Sequence, residues 1–88
     1  GSPHEFIYQQ IAEGTGDIGT TYTATGLRYL VEVSNDLRTW HSGPSVVTWS
    51  NRRETLPDGM ERVGIHIIDP ALSASPQIFT RLRIVVAE

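Results

Sequence analysis

The segment Leu27-Arg28-Tyr29-Leu30-Val31-Glu32-Val33-Ser34-Asn35-Asp36-Leu37-Arg38-Thr39-Trp40 constrains this chain more than any other. The two-residue strand period puts Tyr29, Val31 and Val33 on one face and Arg28, Leu30, Glu32 and Ser34 on the other. Ser34-Asn35-Asp36 then supplies side chains that hydrogen-bond to nearby backbone and favour a turn. A strand, a tight polar corner and a tryptophan opening the next strand mark a β-module. No nucleophile with a base partner lies in the segment, so it points to attachment or recognition rather than to chemistry.

The same period runs through the rest of the chain. Residues 6–11 alternate Phe6, Tyr8 and Gln10 against Ile7, Gln9 and Ile11. Residues 12–21 hold Gly14, Gly16 and Gly19 and read as a loop, followed by a short extended piece at 22–25. Beyond the strand at 27–34, a short one at 40–42 ends at Gly43-Pro44, and another at 46–50 has Val47 and Trp49 on one face. Asn51-Arg52-Arg53-Glu54 reads as a polar crest. Pro57-Asp58-Gly59 is a turn in which proline presets φ and glycine accepts positive φ. Residues 61–69 form a strand with Val63, Ile65 and Ile67 on one face. Residues 70–76 read as loop, with at most one short helical turn within 69–75. Residues 78–87 close the chain with Ile78, Thr80, Leu82, Ile84 and Val86 opposite Phe79, Arg81, Arg83 and Val85. No window carries a helical stripe. The expected fold is all-β, a small antiparallel β-sandwich of six to seven strands, Ig-like or jelly-roll-like.

Size bounds the function. With 88 residues the chain supports one domain, assigned to residues 3–88, after a Gly1-Ser2 pair that reads as the remnant of a cleaved tag. A domain this small buries only about 60–65 % of its unfolded surface, so its core is thin. There is no cysteine, which excludes disulfides, thiolate metal sites and cysteine catalysis. No apolar run approaches the roughly 20 residues that span a bilayer. No signal peptide is recognisable either, and the chain is expected to be a piece cut from a longer protein or one whose leader has been removed. The net charge of −3 argues against nucleic acid as a partner, because phosphate binding needs a basic surface. All seven basic residues are arginine, whose planar forks suit carboxylate and sulfate groups.

The run Tyr29-Leu30-Val31-Glu32-Val33-Ser34-Asn35-Asp36-Leu37-Arg38-Thr39-Trp40, with Ser42-Gly43-Pro44 after it, resembles a C-terminal module of secreted and surface proteins from Verrucomicrobia and related bacteria. Asp58-Gly59, the strand at 63–69 and Phe79-Thr80-Arg81-Leu82-Arg83-Ile84 are similar to that module's later parts, so the resemblance extends from Phe6 to Val86. It implies a secreted or cell-surface bacterial accessory domain with an upstream domain in the parent protein, often a polysaccharide-degrading enzyme. Two positions depart from the pattern. Gln9 and Gln10 stand where arginines are frequent, and Trp49 stands where smaller β-branched residues are common.

Each candidate residue has a structural reading beside a functional one. Trp40 is expected to fill the gap between two sheets. Arg81 is expected to pair with Glu32 or Asp36 and to lie against an aromatic ring, while Asp36 can equally cap its own turn. Trp49 is the better binding candidate, because an indole face packs on the C–H face of a sugar and Arg52 and Arg53 follow it. Those arginines would suit a uronate or sulfated glycan. Tyr22, beside the glycine-rich loop, is a second platform, and Tyr8 is expected to be buried. His4, His41 and His66 have no ligand spacing, so no metal and no cofactor are expected, with a structural calcium held by loop carbonyls as the alternative. Glu32 with Asp36, and Glu54 with Asp58 and Glu61, are carboxylate sets that strands and turns account for, so the chain is expected not to be an enzyme. The expected function is a monomeric, non-catalytic carbohydrate-binding module for a polysaccharide, acidic or sulfated. The alternative is a structural or sorting domain with no glycan ligand.

Overall fold

The computed structural model describes residues 5–86, so Gly1-Ser2, His4 and Ala87 lie outside the described residues. Among the described residues six strands form: β1 (Glu5–Ile11), β2 (Thr23–Ala24), β3 (Leu27–Ser34), β4 (Val47–Thr55), β5 (Met60–Ile67) and β6 (Phe79–Val86). They make two antiparallel sheets, with orders β1-β5-β4 and β2-β3-β6. A shortest extent of 18 Å matches two sheets about 10 Å apart with side chains outside each. The all-β sandwich that the period predicts is therefore present, at the lower end of the expected strand number.

The core follows from the alternation. Tyr8 of β1, Val47 of β4 and Val63, Ile65 and Ile67 of β5 pack with Tyr29, Val31 and Val33 of β3. Ile18, Tyr22, Ala24 and Leu72 close the cluster from the loops and from β2. Leu72 comes from the expected short helical turn, α1 (Pro70–Ser73), where Asp69 caps the start by accepting from the Leu72 N–H at 3.0 Å. The turn at 57–59 also forms, with Asp58 at φ 65° and Gly59 at φ 75°.

The lateral edge of β3 away from β6 is assembled from short pieces. The Tyr29 N–H donates to Tyr22 O at 3.0 Å and the Val31 N–H to Gly19 O at 3.0 Å. Val33 exchanges bonds with His41 at 2.8 and 2.9 Å. That single bridge is all that forms where the sequence predicts a strand at 40–42. Gly19 sits at φ +92°, and a Cβ there would lie 2.8 Å from Ile65 Cγ2. Only glycine lets the loop backbone press this closely on the core.

The polar corner is held by Asp36 and Ser34. Asp36 Oδ1 accepts from the Arg38 N–H at 2.8 Å, the Thr39 N–H at 2.9 Å and the Ser34 hydroxyl at 3.0 Å. The Thr39 and Arg38 amides, with Ser34, hold the Asp36 carboxyl below the usual carboxylate range. The corner returns the chain so that His41 pairs with Val33, and the two-residue period then turns Trp40 to the opposite, outer face. This corrects the expectation that Trp40 fills the space between the sheets. Arg81, opposite Glu32 in the β3–β6 register, bonds Glu32 Oε1 through Nε at 2.8 Å. Its guanidinium carbon lies 3.9 Å from the Trp40 ring centroid, so the expected ion pair and aromatic contact are both made. A double-mutant cycle with Arg81→Gln and Trp40→Leu should give a coupling of about 0.5–1 kcal/mol, read from denaturant midpoints. Additive effects would mean that the stacking contributes nothing.

Residues 51–54, expected as a crest, lie within β4. The register passes from Trp49 opposite Ile65 to Arg53 opposite Val63, so three residues bulge against Gly64 alone. Asn51 takes the left-handed conformation that the bulge needs, at φ 70°. A Cβ on Gly64 would lie 2.6 Å from Glu5 Oε2 and 2.8 Å from Ser50 Oγ, so the absent side chain leaves the room those two groups occupy.

Candidate functional site

The bulge builds the site. Four residues of regular strand would separate Trp49 from Arg53 by roughly 13 Å. Because the two instead face Ile65 and Val63, successive positions on one side of β5, the Arg53 guanidinium carbon comes within 5.7 Å of the Trp49 ring centroid. Both belong to the inner face by register, yet β4 is an edge strand and both side chains stay exposed among the described residues. Trp49 is 37 % exposed. Its Nε1–H donates to Arg52 O at 3.0 Å, which fixes the indole plane.

Beside this pair lies a groove of about 430 Å³, floored by Ile18 and Val47 and walled by Asp17, Thr20, Pro44, Thr48, Trp49 and Arg53. A tight turn presents Asp17: its carbonyl accepts from the Thr20, Thr21 and Tyr22 amides at 3.0–3.1 Å, and its own N–H donates to Thr21 Oγ1 at 2.9 Å. The Asp17 carboxylate makes no hydrogen bond or ion pair among the described residues. It is exposed to solvent. An aromatic residue, an acid, an arginine and two threonines around an apolar floor are the mix of apolar surface and few polar groups that small-molecule sites combine.

Three sequence expectations need correction. Tyr22 is no platform: it is 1 % exposed, its hydroxyl donates to Ile11 O at 2.6 Å and accepts from the Gly14 N–H at 2.8 Å. Its ring meets Tyr29 edge-on at 6.1 Å, and burial pushes its phenol pKa up. The glycine-rich loop folds over it where the sequence pattern pointed to an open flank. Arg52 does not join Trp49 through its side chain. It lies on the outer face of its sheet, bonding Glu5 through Nε at 2.9 Å and Nη2 at 3.2 Å. Arg53 is at the groove, but its Nε and Nη2 bond Glu61 at 2.8 and 3.1 Å. Glu61 also accepts from the buried Gln10 amide at 2.7 Å. Despite the opposing effect of burial, those bonds leave the Glu61 carboxyl below the usual range. Neither guanidinium is thus an unpartnered cation awaiting an anionic ligand.

The Glu5 pair carries a pH signature. Its bonds from Arg52 and then Ser50 lower the Glu5 carboxyl from an ordinary 4.5 to about 2. A folded-state value below the unfolded one stabilises the fold above pH 4.5 and is lost as pH falls toward 2. Arg52→Gln should move the Glu5 titration back toward 4.5 in carboxyl-carbon NMR and flatten the loss of thermal midpoint across that window. An unmoved titration would mean that the Arg52 contact does not persist in solution.

Asp17 and Thr20 carry no signal in the sequence that singles them out, and Pro44 reads there only as part of a turn. The turns at 17–22 and 43–46 bring these three to the groove beside Trp49, whereas Thr48 is its neighbour in β4. Only the glycine spacing at residues 14, 16 and 19 hints that the loop packs tightly. Among the described residues no group of three or more His, Asp or Glu side chains is placed to hold a metal ion. No described helix is long and apolar enough to cross a membrane. No protein-family model, no curated protein and no solved structure matches the chain.

Proposed function

We propose that this domain is a non-catalytic carbohydrate-binding module that holds a polysaccharide across Trp49 and the adjoining groove. The observation that carries the reading is the exposed indole of Trp49, pinned by its bond to Arg52 O and set beside Arg53 and Asp17. The indole packs on the C–H face of a sugar ring, while Asp17 and the free edge of Arg53 accept from and donate to its hydroxyls. Because Arg52 and Arg53 are already matched by Glu5 and Glu61, the favoured ligand is a neutral glycan rather than an acidic or sulfated one. Asp17 is the carboxylate of the groove that has no arginine partner, whereas glycoside hydrolysis uses a pair of carboxyl groups. In the setting that the sequence resemblance implies, the module belongs to a secreted bacterial polysaccharide-degrading protein and acts by keeping it on its substrate.

Affinity electrophoresis tests this directly. Gels of neutral glucans and agar should retard the domain more than carrageenan, alginate, fucoidan or ulvan. Unretarded migration in every gel would overturn the reading. One observation favours a second reading, a structural or sorting domain. Glu32, Asp36, Trp40 and Arg81, all within the recognisable motif, are tied to one another or to their own backbone. That reading expects no retardation, together with a lower thermal midpoint or poorer export of the parent protein when the domain is deleted.

A further inference from the structure

We propose that the free edge of β6 takes up an extended segment of a partner protein in which aliphatic and acidic residues alternate. Tyr29 and Val31 donate their backbone N–H groups, and Val33 both donates and accepts, on the side of β3 away from β6. In an antiparallel ladder the pairs Tyr29–Ile84, Val31–Leu82 and Val33–Thr80 are then the ones not bonded to each other. The N–H and C=O groups of Thr80, Leu82, Ile84 and Val86 consequently point outward, and among the described residues no strand pairs with them. This is the backbone ladder that strand addition uses.

The side chains specify what would pair there. Ile84 and Val86 stand opposite Tyr29 and Leu27, on the core-facing side of the sheet, yet they are 49 % and 75 % exposed. The opposite sheet does not reach over β6, leaving an aliphatic shelf that aliphatic residues on an added strand would extend. The outer side of the same sheet is cationic. Arg28, Arg81 and Arg83 lie there with Glu32 as the acid among them, in a chain whose net charge is −3. Arg83 reaches Glu32 only at 3.8 Å. Acidic residues at alternate positions of the incoming strand would lie beside Arg83 and Arg81 across the ladder. A second copy of this chain is a poor occupant, because antiparallel pairing about Leu82 sets Arg81 against Arg83. An anionic polysaccharide would use the arginines but neither the backbone ladder nor the aliphatic shelf.

The test uses the full chain and a labelled, end-blocked octapeptide alternating glutamate with valine. Its fluorescence anisotropy should rise on addition of the domain, and added salt should weaken the binding. The amides of Thr80, Leu82, Ile84 and Val86 should gain protection from hydrogen exchange while those of β4 do not. A lysine–valine octapeptide should bind at least tenfold more weakly. Ile84→Pro removes an outward N–H without breaking the β3–β6 ladder and should weaken binding at least tenfold, as should Arg83→Glu, with thermal midpoints reporting that each variant is folded. Several results would overturn the proposal: equal binding of the lysine peptide, unprotected β6 amides, self-association through β6 in sedimentation, or binding of fucoidan that the glutamate peptide fails to displace. The outcome is independent of the Trp49 site, because Trp49→Ala leaves β6 untouched.

Discussion

Trp49→Ala should abolish retardation in whichever neutral gel slows the wild-type domain. The loss expected for a central aromatic contact is at least about 2 kcal/mol, or ~30-fold in affinity. The fold should survive, because Trp49 lies on an edge strand and is more than a third exposed, whereas the neighbouring inner positions Ile65 and Val63 are fully buried. Trp49→Phe is the informative companion. It keeps a flat apolar face but loses the Nε1–H bond to Arg52 O, so the ring is no longer pinned. An intermediate affinity would show that both the face and its fixed orientation matter. Unchanged retardation in the alanine variant, with circular dichroism confirming the fold, would place any glycan site elsewhere.

Gly19→Ala should lower the thermal midpoint sharply, because two penalties act together. Alanine is strained at φ +92°, and its Cβ would sit 2.8 Å from Ile65 Cγ2, a fully buried side chain with little room to retreat. The combined cost is about 2–4 kcal/mol, which in a domain of this size is a fall of roughly 8–30 °C. Gly26→Ala separates the two effects. Gly26 has φ +79°, and a Cβ added there would meet nothing within 4 Å, so it reports backbone strain alone. Equal falls in the two variants would mean that the loop relaxes away from Ile65. Gly19 also connects stability to the site. Its carbonyl accepts from the Val31 N–H, and it lies between Asp17 and Thr20, so moving it displaces one wall of the groove.

Much of the fold is legible along the chain because it depends on neighbours in sequence. The two-residue period marks β3 to the residue and places β5 and β6 within two residues of their ends. The Asp36 corner, the turn at 57–59 and the single helical turn after Asp69 are local as well, built from side chains bonding to backbone a few positions away. Even the Arg81–Glu32 pair could be anticipated, since each residue lies on the outward face of a recognisable strand.

The site depends on contacts distant in sequence. Trp40 reaches the outer face because of which residue its neighbour pairs with, and composition carries no record of that register. Arg52 and Arg53 are adjacent in the chain, yet the strand period sends one to Glu5 on the outer face and the other to Glu61 on the inner one. Their charge, counted as available in the sequence, is matched by carboxylates 47 and 8 positions away. Tyr22 is buried because a loop folds over it, and a loop's path depends on what it covers.

By itself, the sequence determined an all-β sandwich, its principal strands and its corner, because alternation and turn chemistry act within a few residues. The tertiary structure alone decided that Trp49 meets Arg53 beside a groove that Asp17 also lines, that Arg52 and Arg53 are already paired, and that, among the described residues, β6 keeps an open edge. Those outcomes follow from strand register and from which strand lies at the border of a sheet, and both are set by pairing between segments far apart in the chain.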